Sequence, residues 1–132
     1  MVKIYLAAYK QIENHGPGKK IALATSKPDE LKIDGAFKPF IPPSELIQAY
    51  KDKQLEDQKK ASDFFAEAYG KQIKDFLSEV QKDAEKKNVS VQELLPFKDG
   101  DTLLTWERYG YRSIRPMLAR FLEEIGYEII LR

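Results

Sequence analysis

The last 31 residues of the chain limit its fold more than any other stretch. Thr102 to Trp106 (TLLTW) has the short apolar run of a strand, and Tyr127 to Leu131 (YEIIL) has another. Between them Met117, Leu118, Phe121, Leu122 and Ile125 recur at helical spacing, and Gly126 stands where a helix would end in a left-handed C′ residue. Ser113 or a neighbour is the expected cap of that helix. Pro116 then falls in its first turn, where a missing N–H costs little. Strand, loop, helix and strand in this length close as a βαβ unit, with two parallel strands and a right-handed crossover.

The remainder supplies partners for that unit. Val2 to Ala8 alternates apolar and polar residues as a strand does. Asn14-His15-Gly16-Pro17-Gly18 reads as a plain turn, or as a lid if it is flexible. Ile21 to Thr25 (IALAT) is the continuous apolar run of a strand buried on both faces. Ser26 to Ala36 is polar and turn-rich. Phe37 to Pro43, with three prolines, is expected to be extended or an edge strand. Ser44 is the expected cap of a helix through about Lys53.

From about Leu55 to Lys87 a stripe of Phe65, Tyr69, Ile73, Phe76, Leu77, Val80 and Ala84 predicts a long amphipathic helix, with Gly70 marking a bend or break. Its nine basic and nine acidic side chains between Lys51 and Lys87 read as a solvated face. Ser90 to Glu93 has capping-box spacing. The expectation is one α/β domain over residues 1–132. It has a small mixed or mostly parallel sheet of four to five strands, packed helices and a C-terminal βαβ unit.

Composition narrows the chemistry. With no cysteine there is no disulfide and no thiolate, which fits a cytoplasmic protein. A single histidine, His15, cannot build a multi-histidine zinc site; a carboxylate-only magnesium site stays open, but no metal or cofactor is expected. No apolar run has the length of a membrane span, and the net charge of +1 provides no global field for nucleic acid, so neither is an expected partner.

The placement of charge says more than its sum. All 17 lysines lie at or before Lys98, and all five arginines at or after Arg108. Arginine offers a planar fork for phosphate or carboxylate that lysine does not. Arg108, Arg112 and Arg115 sit in the segment that leaves a strand and enters a helix, the place where open α/β sheets bind ligands. A cation in the first helical turn opposes the macrodipole, and a bound anion would turn that conflict into cooperation. Pairing of Arg108 or Arg115 with Glu107 or Asp101 is the structural alternative. Tyr109 and Tyr111 would present ring faces to a nucleotide base, and Ser113 a hydroxyl. If all strands run parallel, Tyr9, Lys10, Thr25, Ser26 and Lys27 share this edge.

The stretch Leu103 to Leu122, LLTWERYGYRSIRPMLARFL, with the Glu-Glu-Ile-Gly-Tyr-Glu-Ile that follows it, resembles the domain of unknown function 488, or YeaO-like, family of bacteria and phages. In that pattern a strand ending Leu-Leu-Cys-Tyr-Glu leads through a short loop to Cys-His-Arg-His at the start of a helix. Glu107 and Arg115 match it. Thr105 and Ser113 stand at the two cysteines, and Ile114 and Pro116 at the histidines. The resemblance implies an α/β fold and a divergent bacterial or phage member. It carries over no thiol or imidazole chemistry and leaves an anion role for Arg115 intact.

The expected function is therefore binding of an anionic small molecule, a nucleotide or phosphate-bearing metabolite, through Arg108, Tyr109, Tyr111, Arg112, Ser113 and Arg115. Glu107 is the candidate acid or base if the ligand is turned over. The alternative is a protein-interaction or inhibitor module acting by surface contact, with a homodimer among its forms. Single-stranded nucleic-acid binding is the weakest of the three.

Overall fold

The computed structural model describes residues 2–10, 12–24, 32–105 and 109–131, with residues 14 and 109–114 described by their backbone alone. Among the described residues five strands form one sheet: β1 (Lys3–Ala8), β2 (Lys20–Ala22), β3 (Gly35–Ala36), β4 (Thr102–Thr105) and β5 (Glu128–Leu131). Their order is β3-β2-β4-β1-β5, and every pairing is parallel. The sheet is thus the all-parallel case, with β4 at its centre. Four helices follow the pattern read from the residues: α1 (Ser44–Gln54), α2 (Gln58–Lys87), α3 (Val91–Leu94) and α4 (Tyr109–Glu124).

Strand alternation divides the core between two faces. Ile4, Leu6, Ile21, Leu23 and Leu103 join Phe65, Tyr69, Ile73, Leu118 and Leu122 in one buried cluster, so the helices cover this face. Ala7, Tyr9, Ala22, Ala24 and Leu104 form a second, thinner cluster on the other face. The small alanines there accommodate a connection whose one described helical element is the 3-10 turn Ile12–Asn14. The chain from β1 to β2 crosses β4 as a strap. The Gly16 amide donates to Thr102 Oγ1 at 2.7 Å, and the Gly18 amide to the Gly100 carbonyl at 2.9 Å.

Asp101, almost fully buried, accepts from the amides of Lys19 and Lys98 at 3.0 and 2.9 Å and locks the strap's far end. A Cβ on Gly16 would meet the Tyr5 ring and stand 2.6 Å from the Gly100 carbonyl oxygen, so only glycine fits so close a passage. The His15–Gly18 stretch is therefore a bonded crossover and not a lid.

Several local expectations change in the folded chain. Phe37 to Pro43 is not an edge strand. A 3-10 turn at Lys38–Phe40 lies there, because α2 grips its carbonyls. The Tyr69 hydroxyl donates to Phe40 O at 2.6 Å, and Gln72 Nε2 donates to Pro39 O and Ile41 O. Ser44 is not a cap but the first residue of α1, and Pro43 precedes it without a side-chain cap.

Gly70 does not break α2, which runs unbroken through it. A Cβ there would lie 2.9 Å from Met117 Sδ, so the glycine lets α4 approach. The Asp57 carboxylate accepts from the Lys60 amide at 3.1 Å as the true cap of α2. Other expectations hold as read: Ser90 accepts from the Glu93 amide, and Gly126 ends α4 at φ +102°.

Candidate functional site

β4 is the strand around which the connections divide. β1 sends its connection across to β2 on the Tyr5 face. β4 sends α4 the other way, toward β5, on the helical face. Two neighbouring parallel strands whose connections leave on opposite faces open a crevice outside their carboxyl ends. In this sheet that edge lies beyond Ala8 and Thr105, which are paired across the β1–β4 ladder. The fold places the end of β4 there, as the arginine-bearing segment requires.

Arg115 is held at that edge. Its Nη1 donates to Thr105 Oγ1 at 2.9 Å, across ten residues of chain. Thr105 is fully buried at the last position of β4, with its side chain on the helical face and its carbonyl accepting from the Tyr9 amide at 2.9 Å. Thr105 thus bonds the guanidinium and ties the exit of β1 to the exit of β4. The Leu23 amide donates to Leu104 O at 2.9 Å, bringing the exit of β2 to the same edge. Tyr9, fully buried, and Lys10, exposed, share the edge as the parallel case demands.

The position of Arg115 within its helix differs from expectation. α4 begins at Tyr109, four residues before Ser113, so Ser113 does not cap it. Arg115 consequently lies in the second turn, where opposition to the macrodipole is weak. Pro116 is inside the helix and withholds the amide that would bond the Arg112 carbonyl. The first-turn amides, which have no partner within the helix itself, belong to Tyr109, Gly110, Tyr111 and Arg112. Backbone alone is described for Tyr109, Tyr111, Arg112 and Ser113, and Trp106, Glu107 and Arg108 lie outside the described residues, as do Thr25, Ser26 and Lys27.

His15 belongs to the same edge and was not singled out by sequence as part of it. Its Nε2 lies 3.0 Å from the Ala8 carbonyl oxygen. A carbonyl only accepts, so Nε2 carries a proton in this contact. The other ring nitrogen, Nδ1, is buried and has no hydrogen-bond partner among the described residues. A single histidine seven residues beyond the end of a strand was the only signal available.

Other features lie elsewhere. A groove of about 430 Å³ between α2 and α4 is lined by Lys74, Leu77, Phe121 and Glu124, toward the C-terminal end of α4. Among the described residues no group of three His, Asp or Glu could hold a metal ion, and no helix is long and apolar enough to cross a membrane. Lys82–Glu79 and Lys87–Asp83 are exposed ion pairs on α2, of the kind that adds little stability. No family model, curated protein or solved structure matches the chain.

Proposed function

We propose that the chain binds an anionic small molecule, a nucleotide or phosphate-bearing metabolite, outside the carboxyl end of β4, in the cytoplasm. The observation that carries this reading is the anchoring of Arg115 by Thr105 at the end of the central strand, where the connections of β1 and β4 part. A guanidinium fixed by a buried hydroxyl loses less freedom when it meets a phosphate than a solvated one. The first-turn amides of α4 would add partial positive charge at the same edge.

Arg108 and Arg112, seven and three residues before Arg115 in sequence, would complete the clamp. Tyr109 and Tyr111 would stack on a base, and Ser113 would add a hydroxyl. Glu107 would be the acid or base of any turnover. The resemblance to the YeaO-like family, which matches Arg115 to an arginine of its pattern, leaves this reading untouched.

A thermal-shift screen with inorganic phosphate, sugar phosphates and nucleotides tests the reading. A ligand at 100 times its dissociation constant adds about 2.7 kcal/mol of stability. The expected result is a shift with at least one phosphate compound that is lost in Arg115→Ala. No shift with any of them, or equal shifts in the variant, would overturn it.

A further inference from the structure

The two edges of the sheet are unlike each other. β3 is two residues long and too short to recruit a strand. β5 is four residues long and, among the described residues, pairs only with β1. Its sequence is Glu128-Ile129-Ile130-Leu131, with no proline, no lysine and no bulge to discourage pairing. Ile129 and Ile130 are partly exposed, and Leu131 is 46% exposed.

The direction of the free backbone groups follows from the ladder. The Glu128 amide donates to the Val2 carbonyl at 2.9 Å, so Glu128 and, two residues on, Ile130 turn their N–H and C=O toward β1. Ile129 and Leu131 turn theirs outward. Ile129 packs on the helical face, aligned with Ile4, and Ile130 lies on the opposite face, aligned with Tyr5.

We infer that β5 is a dimerisation edge that pairs antiparallel with β5 of a second copy of this chain about a twofold axis at Ile130. The register is set by two constraints. A twofold normal to the sheet makes facing residues share a face, so they must lie an even number of positions apart. The facing residues that bond must also be the outward ones. With Ile130 opposite its own copy, Ile129 faces Leu131 of the second chain, and the reverse.

Both are outward residues, so each pair exchanges two hydrogen bonds and the dimer makes four. Side chains agree with this register: Ile129 meets Leu131 on the helical face, and the two Ile130 side chains meet on the other. A twofold at Ile129 would instead call on Tyr127, whose amide already caps α4 by donating to the Leu122 carbonyl at 3.2 Å. The resulting dimer has one continuous ten-stranded sheet, and this assembly is independent of the anion site.

Two short strands bury less than the ~1,200 Å² of a standard interface, so the pair is weak, with a dissociation constant of about 10⁻⁶–10⁻⁴ M. Sedimentation velocity from about 0.1 μM to 1 mM spans that range. The wild-type chain should pass from monomer to dimer. Leu131→Pro removes an outward N–H without touching the β1 ladder, and Ile130→Glu sets like charges on the axis.

Each variant should weaken dimerisation at least about tenfold while keeping the wild-type circular dichroism. If Leu131→Pro does not fold, Ile130→Glu decides. A wild-type chain that stays monomeric throughout, or a dimer unchanged by the folded variants, would overturn the inference.

Discussion

Arg115 and Thr105 are joined by a 2.9 Å hydrogen bond that ties the second turn of α4 to the last residue of the central strand. The pair is more than a packing detail. Thr105 is buried, and its carbonyl also receives the amide of Tyr9. Side chain and main chain of one threonine thus organise the carboxyl edge of the sheet.

Replacing Thr105 with valine keeps the shape and removes the acceptor. A part-buried guanidinium then loses a charge-assisted bond. The expected cost is about 1–2 kcal/mol, measured as a lower urea midpoint with an unchanged slope. Phosphate affinity should fall in the same variant, because the fork is no longer held. A valine variant as stable as wild type would show that the bond contributes nothing.

Gly16→Ala tests the strap. The added carbon would press on the Tyr5 ring and the Gly100 carbonyl, and the latter is backbone that cannot step aside. Destabilisation of about 2–3 kcal/mol is expected from overpacking of this kind. Gly70→Ala is the comparison. Its clash is with the flexible end of Met117, and alanine is favoured by about 1 kcal/mol in a helix interior. The second variant should be close to neutral by thermal unfolding.

Tyr127 offers a pH-dependent prediction. Its hydroxyl is buried with no hydrogen-bond partner among the described residues, and burial pushes its pKa up to about 12. In the unfolded chain the phenol ionises near its ordinary value of 10. Its contribution to stability is therefore intact below that value and is lost as pH rises from 10 toward 12. Tyr127→Phe removes both the unsatisfied hydroxyl and the titration. The variant should be as stable as wild type or up to about 1 kcal/mol more stable near neutrality. Its advantage should widen above pH 10 in urea unfolding; an advantage that narrows there would contradict the assignment.

The residues that were legible in sequence are those whose partners are local or periodic. The stripe from Phe65 to Ala84 and the apolar face of α4 required only helical spacing, and the β4–α4–β5 unit required only its length. What stayed hidden depended on contacts far along the chain. The Pro39 segment closes into a 3-10 turn because Tyr69 and Gln72, some thirty residues on, take its carbonyls. Gly70 looked like a break because the Met117 thioether that needs its space is distant in sequence.

The candidate site shows the same division. Its location at the end of β4 followed from strand order rules. The start of α4 did not, because Pro116 suggested a first turn and the helix begins seven residues earlier, at Tyr109. His15 reaches the edge only through the strap, a path that no local pattern announces.

The most direct test of the anion site is an amide-resolved NMR titration of the wild-type chain with inorganic phosphate and then a nucleoside monophosphate. Saturable shifts should gather at Tyr9, Lys10, Thr105 and the first turn of α4, the residues that the parallel sheet brings to one edge. Shifts absent at saturating ligand, or gathered at the opposite edge around Lys19 and Gly100, would contradict it.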